Sequence, residues 1–300
     1  MSSQKELKGN LEAVSAIGSI TSVYQEIASL RMNQLRGKVA EVREFLDGVA
    51  TIYYHVKAAY IAAVQRQLLA GKKDLATASF VRRNGKPVSV FLSANEHLYG
   101  TLILDIWRAF ARDLRQGKAE GVVVGSFGRY LLNSENIKAP VTYFDLDDDK
   151  PAPDQIKRIV DFISSYEQII VYHGQMVSVL NQIAATSEVS GGVTLRQQVA
   201  KPKNYLFEPT PAKILEFFET EIIAALFNQT VLEHQLARFA ARMVAMDQAT
   251  QNAKEEATKI EKELRSLRRR IANRKQLEVF AGFSLWSNRV AGGSGREEQA

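Results

Sequence analysis

The chain has 300 residues, 46% of them hydrophobic, and carries a formal net charge of +6. That length suffices for one large domain or two modest ones. The absence of cysteine excludes disulfides and thiolate metal sites, and the apolar runs fall short of the roughly 18–20 residues a membrane span needs.

The opening "MSSQKELKGN" is polar and lacks the apolar core of a secretory leader, which points to a cytosolic location. The positive balance favours an acidic partner: nucleic acid, an anionic membrane face or an acidic protein. All seven prolines lie between Pro87 and Pro211. Proline breaks helix interiors, so the chain divides into a middle and two helix-competent ends.

The first 70 residues predict a long helix with a heptad seam. Val14, Thr21, Ala28, Leu35, Val42, Val49, Val56 and Ala63 share one register. Ile17, Tyr24, Phe45, Ile52 and Ala59 are expected in the second, where Arg31 and Lys38 interrupt them. Gly18, Gly37 and Gly48 each weaken the helix by up to about 1 kcal/mol.

The middle alternates strand and helix. Val88–Ser93, Gly121–Ser126, Val141–Leu146 and Gln168–His173 are short apolar or β-branched runs. Amphipathic helices are expected around Leu102–Arg115, Gly128–Ser134 and Asp154–Ser165. That order implies a mainly parallel sheet with helices packed on it. Met176–Ala184 and Val193–Val199 are further strand candidates for a hairpin ending the sheet, with "SGGV" as its turn.

The last element is the longest. No glycine occurs between Gly192 and Gly282, Thr210 can cap a helix, and Pro211 suits its first position. A repeat of seven then runs from Leu215 through Ile222, Gln229, Leu236, Met243, Thr250, Ala257 and Leu264 to Ile271. Its second position carries Phe218, Ala225, Leu232, Phe239, Met246, Ala253, Ile260 and Leu267. Only Gln229 and Thr250 break the pattern, and a strict repeat of seven implies left-handed supercoiling. From Pro211 to about Phe280 such a helix spans roughly 100 Å at about 1.5 Å per residue. It must protrude, and the first helix is its partner, free to run antiparallel because the α/β insertion separates the two. The divisions expected are 1–70 for the first helix, 71–204 for the α/β domain, 205–285 for the second helix and 286–300 for a flexible polar tail.

Sites are few. "GSFGR", Gly125 to Arg129, lies between a strand and a helix, where a phosphate loop or an ordinary turn belongs. It has neither the three-glycine dinucleotide spacing nor a GK[ST] ending. The acidic run "DLDDDKP" reads as a hard-cation site or, better, a solvated loop leading a helix. His55, His97, His173 and His234 are scattered and read as surface or satisfied histidines. No catalytic constellation appears, and no cofactor or metal is expected. The basic run "RSLRRRIANRK" places Arg265, Arg268, Arg269, Arg270, Arg274 and Lys275 near the tip of the long helix. It suits phosphate backbone, acidic protein loops or a plain solvated face. The absence of interleaved aromatics argues against a single-strand stacking surface.

"AARMVAMDQATQNA", Ala240 to Ala253, resembles the C-terminal signature of the γ subunit of rotary F-type ATP synthases. "NYLFEPTPAKIL", Asn204 to Leu215, is similar to that family's entry into the same helix. Weaker likeness runs through "VSVFLSANEHLYG", "GVVVGSFGRYLL" and "QIIVYHGQMV", and the expected architecture is similar to that family's over about 270 residues. It implies an antiparallel coiled coil around a Rossmann-like domain, acting as a rotor shaft. The coil would stand inside a head of alternating α and β subunits, with the α/β domain beside an ε-type subunit and the c-ring at the cytoplasmic face of a membrane. Nucleotides would bind the head and not this chain, and nucleic acid is not expected. The rotor would carry ion-driven rotation, by protons or sodium, into ATP synthesis, or serve a specialised ATP-hydrolysing complex. Met243 and Met246 are expected in the seam, where methionine adapts to irregular surfaces. Arg242 is expected beside it, meeting the first helix, a partner within the coil or an acidic loop of a β subunit.

The chain also departs from that family. The family's "DRGLCGGLN" is "ANEHLYGTLI" here, Ala94 to Ile103, keeping only Leu98 and Gly100. Its "KITKAM" is "SITSVYQ", Ser19 to Gln25, which loses both lysines. Its "ITQE" is replaced around Asn273–Gln276. Those regions meet the head in the family, so the pairing with β is expected to be rewritten.

Overall fold

The computed structural model describes residues 3–69, 84–117, 119–135, 137, 139–190, 208 and 211–293. They fall into two compact units, one combining the described residues up to 23 with those from 246 onward and the other the described residues between 24 and 245. Helices α1 (Gln4–Leu69) and α5 (Pro211–Gly293) contribute to both.

In the first unit the two helices pair antiparallel. Leu7 packs against Ile260 and Leu264, with Leu11, Val14 and Leu267 alongside. Thr21 and Thr250 share a 2.8 Å hydrogen bond. The polar interruption at Thr250 is thus matched by a polar residue at the facing seam position. At Gly18 the helices come close enough that an added Cβ would lie 3.3 Å from that of Ala253. Cysteines at both positions fall near the disulfide range of about 3.5–4.5 Å between Cβ atoms. In the cysteine-free background, Gly18→Cys with Ala253→Cys is expected to crosslink under mild oxidation, read by peptide mass mapping. Recovery of two free thiols would contradict this register. Beyond Phe280, α5 continues through Gly293, because no proline intervenes and paired glycines appear only at its end.

In the second unit, strands β1 (Pro87–Leu92), β2 (Glu120–Val124), β3 (Val141–Phe144), β4 (Gln168–Met176) and β5 (Gln182–Glu188) form one sheet in the order β3-β2-β1-β4-β5. The first four are parallel and β5 is antiparallel to β4. The hairpin therefore turns earlier than the sequence suggests. Its turn lies inside the expected strand Met176–Ala184, where the amides of Val177 and Ser178 both donate to the Asn181 carbonyl. Serine and asparagine supply that turn chemistry. The candidate Val193–Val199 and its "SGGV" turn lie largely outside the described residues.

Alternation along the strands sends side chains to two cores. Val88, Val90, Leu92, Val122, Val124, Ile169 and Val171 face α4 (Pro153–Ile163) and also Ile223, Phe227 and Val231 of α5. Phe91, Val123 and Tyr172 face α2 (Leu102–Arg115) and α3 (Ser126–Ser134). The long helix is thus one of the sheet's own covering helices.

Here too α1 runs antiparallel to α5. Ala28, Met32, Leu35 and Val39 pack on Leu236, Phe239 and Ala240, while Tyr53 and Val56 pack on Leu215 and Ile222. Gln229, the other seam interruption, donates to Glu233, which also receives Arg43 at 2.6 Å.

From Val14 to Val56 the first register expected for α1 is the one turned inward, but the second is not; the side chain of Ala63 lies outside the described ones. Ile17, Tyr24, Phe45 and Ile52 are exposed, and Met32, Val39, Leu46 and Tyr53 are buried in their place. The seam steps by four residues from the shared register where the sequence reading steps by three. Both spacings are valid heptads, and apolar residues recur along both with polar interruptions.

Candidate functional site

Residues Val231 and His234 to Arg242 of α5 are all buried, on every side of the helix. One face meets α1 and another meets the sheet, and Ala237 and Ala241 keep the approach short. Gly174 of β4 completes it, since a Cβ there would stand 3.1 Å from that of Ala237. This crowding accounts for the alanine-rich composition of the segment.

Through the crowded stretch runs a polar stripe at four-residue spacing, His234, Arg238 and Arg242, joined by Gln235. His234 sits between two adjacent strands: Nδ1 accepts from the Gly174 amide at 2.9 Å and Nε2 donates to the Ser93 carbonyl at 2.9 Å. Arg238 donates to Oδ1 of Asp148 at 2.6 Å and to its carbonyl at 2.9 Å, and Gln235 donates to the same carbonyl at 2.8 Å. Asp148 Oδ2 accepts the amides of Asn95 and Glu96 at 2.8 and 2.9 Å. Arg242 donates to Glu96 at 2.6 Å and to the His97 carbonyl at 3.2 Å, with its guanidinium 4.3 Å from the centre of the Tyr99 ring. Burial raises the Tyr99 pKa, and of its charged neighbours Asp148 and Glu96 push it further up while Arg238 and Arg242 pull it down.

The placement is informative. Strand order reverses about β1, with β2 on one side and β4 on the other, and doubly wound sheets bind ligands in the crevice at the carboxyl ends of such strands. Here His234 fills that crevice, bonded to the ends of both strands, and with Gln235 and Arg238 it lines a cavity of about 10 Å³ beside the ends of β1, β2 and β3, the scale of one water. The "GSFGR" loop is likewise spoken for. Ser126 donates its amide to Asn95 Oδ1 and Phe127 to the Ala94 carbonyl, so the first turn of α3 points at the protein's own oxygens. Gly125 has a φ of 100°, and a Cβ on it would press on the Ala94 backbone. Gly128 lies so close to the sheet that a Cβ would meet Val123 at 2.7 Å. Gly128→Ala should therefore destabilise the chain by about 1–3 kcal/mol, despite alanine's better helix propensity. An unfolding midpoint raised by this substitution would contradict that packing.

Several sequence-based expectations change. The acidic run leads into α4, but it is not simply solvated, because Asp148 is buried by Arg238. Arg242 faces the loop after β1, with its side chain only 7% exposed. Its hydrogen bonds go to Glu96 and the His97 carbonyl of that loop. Met243 packs at the edge of the cluster of Ala28 and Met32, and Met246 is buried. Arg268, Arg269, Arg270 and Arg274 are exposed, and Arg274 pairs with Glu278 one turn on. Sequence reasoning missed Gln235 and Arg238 and the roles of His234 and Asp148. For His234 and Arg238 a signal was present as polar residues one helical turn apart inside an otherwise apolar stretch; Asp148, in a loop, had none.

His173 and His234 are satisfied and buried, and burial lowers the pKa of both, that of His234 well below the ordinary value. For His234, the nearby Arg238 adds to the effect. A folded-state pKa below the unfolded value means the unfolded chain binds more protons. Stability is then fully present above about pH 6.5 and falls as the pH drops toward the folded values, by up to about 1.4 kcal/mol per pH unit for each histidine. Thermal unfolding of the chain is expected to be flat near pH 7–8 and to decline between about pH 6.5 and 5. A midpoint that rises over that interval would contradict this.

Comparison with known proteins places the architecture. The family model described as ATP synthase matches residues 3–284. The ATP synthase gamma chain of Actinobacillus succinogenes is 23% identical over 271 residues, covering 84% of this chain and 89% of its own. That of Rhizobium leguminosarum bv. trifolii is 25% identical over 299 residues, covering 94% and 99%. The chain belongs to the ATP synthase gamma family. As a gamma chain it is a non-catalytic subunit, the central rotor shaft of its complex. The fold is that of a chain in the Tetrahymena thermophila mitochondrial ATP synthase central stalk/c-ring structure, with a TM-score of 0.53 at 16% identity over 77% of this chain and 99% of that one. A chain of the Euglena gracilis mitochondrial enzyme gives a TM-score of 0.52 at 14% identity over 90% and 98%. The loop Ala94 to Ile103 is the one that supplies Glu96 and Tyr99 to Arg242.

Proposed function

We propose that this gamma chain couples proton or sodium flow to ATP turnover at the cytoplasmic face of a membrane. The coil of α1 and α5 engages α and β subunits of a catalytic head, and the α/β domain engages an ε-type subunit and the c-ring. No helix among the described residues is long and apolar enough to cross a membrane.

The observation that carries this reading is the outward stripe of α1. In the first unit Ile17, Ile20 and Val23 are 53% to 56% exposed, and in the second Tyr24, Ile27 and Leu30 are 42% to 58% exposed. Contiguous exposed apolar surface on this scale marks an interaction site, and a shaft enclosed by a head supplies the cover. Arg268, Arg269, Arg270 and Arg274 give the far end of α5 a cationic surface suited to acidic loops of that head. A second reading, the shaft of a specialised ATP-hydrolysing complex, rests on the loss of both lysines in Ser19–Gln25 and on the rebuilt Ala94–Ile103 loop.

Inside-out membrane vesicles test both readings. ATP is expected to drive ion uptake that disappears when the chain is deleted, and replacing sodium by potassium identifies the ion. An imposed gradient that yields ATP identifies a synthase, while hydrolysis without synthesis identifies the specialised complex. Uptake unchanged by deletion would overturn the assignment.

A further inference from the structure

The sheet's ligand crevice is occupied by the chain's own helix, and the occupants are directional. His234 grips β1 and β4 through Ser93 and Gly174, Arg238 and Gln235 grip the loop after β3 at Asp148, and Arg242 grips the loop after β1 at Glu96 and His97. Between these contacts the helix offers the sheet little but Ala237 and Ala241. Small, smooth residues let a helix approach, yet they resist rotation about its axis or sliding along it poorly. Buried ion pairs contribute little net stability compared with apolar packing, and their best-attested use is to fix register.

We propose that His234, Arg238 and Arg242 form a registry key that sets the rotation and height of α5 on the α/β domain, so that load passes between the two without slip. They are positioning residues: each acts through the setting of α5 and none touches a substrate. Arg238 has the deeper anchor, since its side chain and that of Asp148 are 5% and 10% exposed. Arg242 forms the outer one, against a Glu96 side chain that is 57% exposed. This inference rests on the rotor reading above.

The test uses the complete complex in vesicles, with Arg242→Met and Arg238→Lys as separate variants. Methionine keeps the apolar length of arginine without its directional bonds, and lysine keeps the charge without the fork. The readout is ions transported per ATP hydrolysed against a rising opposing gradient, alongside the melting temperature of the complex. For a slipping key, slip should become about threefold more frequent, the lower end of what coupled polar contacts contribute, so the ratio should fall below wild type at high load with little difference at low load.

A reversible lock separates registry from simple stabilisation. Gly174→Cys with Ala237→Cys places two Cβ atoms within a few tenths of an ångström of the disulfide range. In the Arg242→Met background, oxidation should restore the loaded ratio and reduction should remove it. A ratio that follows wild type at every load overturns the key, as does a formed crosslink that restores the melting temperature but not the ratio. If the Arg238 variant fails to assemble, the Arg242 and crosslink arms decide by the same readings. Absence of ATP-driven uptake with the wild-type chain would instead remove the rotor reading beneath it.

Discussion

Arg238→Ala is expected to destabilise the chain by about 3 kcal/mol, near the lower end for breaking a buried ion pair. The side chains of Arg238 and Asp148 are almost wholly buried, so truncation leaves a carboxylate without its guanidinium in a site largely closed to bulk solvent. Asp148 keeps the Asn95 and Glu96 amides, which holds the loss toward that lower end. The Gln235 contact to the same carbonyl cannot substitute for the charge. Unfolding of the purified chain should show a midpoint lowered by roughly 6–12 °C, at about 2–4 °C per kcal/mol for a chain of this size. Arg268→Ala, at an exposed position, is the matched control and should stay within about 0.5 kcal/mol of the parent. Equal effects for the two arginines would mean that the pair with Asp148 is not formed.

Phe227→Ala should cost about 3–5 kcal/mol, the range for deleting a buried aromatic ring. Phe227 is fully buried and is held among Ile223, Val231 and the β-branched residues of the sheet. Because α5 serves as a covering helix of that sheet, the cavity would open between the helix and the domain it carries. Protection of β1 and β2 amides from hydrogen exchange should fall along with global stability. Loss of stability with strand protection unchanged would show that the helix is not part of the sheet's core. Phe217 on the same helix is 63% exposed, and its truncation should have little effect on either reading.

Much of this fold was legible in the sequence, for physical reasons. The confinement of proline to the middle of the chain and the long glycine-free run specify α5. Alternation of strand and helix specifies the parallel part of the sheet. The seam of α1 was legible only in half. Ile17, Tyr24, Phe45 and Ile52 follow a valid heptad spacing, as do Met32, Leu46 and Tyr53, and periodicity cannot tell a stripe turned to a partner helix from one turned outward. The hairpin turn was hidden because Val177, Val179 and Leu180 are apolar, which masks the turn chemistry of Ser178 and Asn181.

The polar joint was harder to see. Asp148 stands in a run of acidic residues that resembles a solvated loop, and only tertiary contact with Arg238 distinguishes it from Asp147 and Asp149. Arg242 was noticed for its place in the family signature, but its partners come from a loop about 145 residues earlier in the chain. Pairings that distant leave no local pattern. What the sequence did hold was the spacing of His234, Arg238 and Arg242, a polar line on a helix that is otherwise crowded by alanine.

The central claim is that this chain is the rotor of a multisubunit ATPase. Affinity purification of the tagged chain from its native membranes, with subunit stoichiometry and ATPase activity measured on the same sample, tests it most directly. The account predicts one copy per hexameric head of two ATPase-type subunits, together with a c-ring, and hydrolysis that the isolated chain lacks. Recovery of the chain alone, or with nucleic acid and no ATPase subunits, would contradict it.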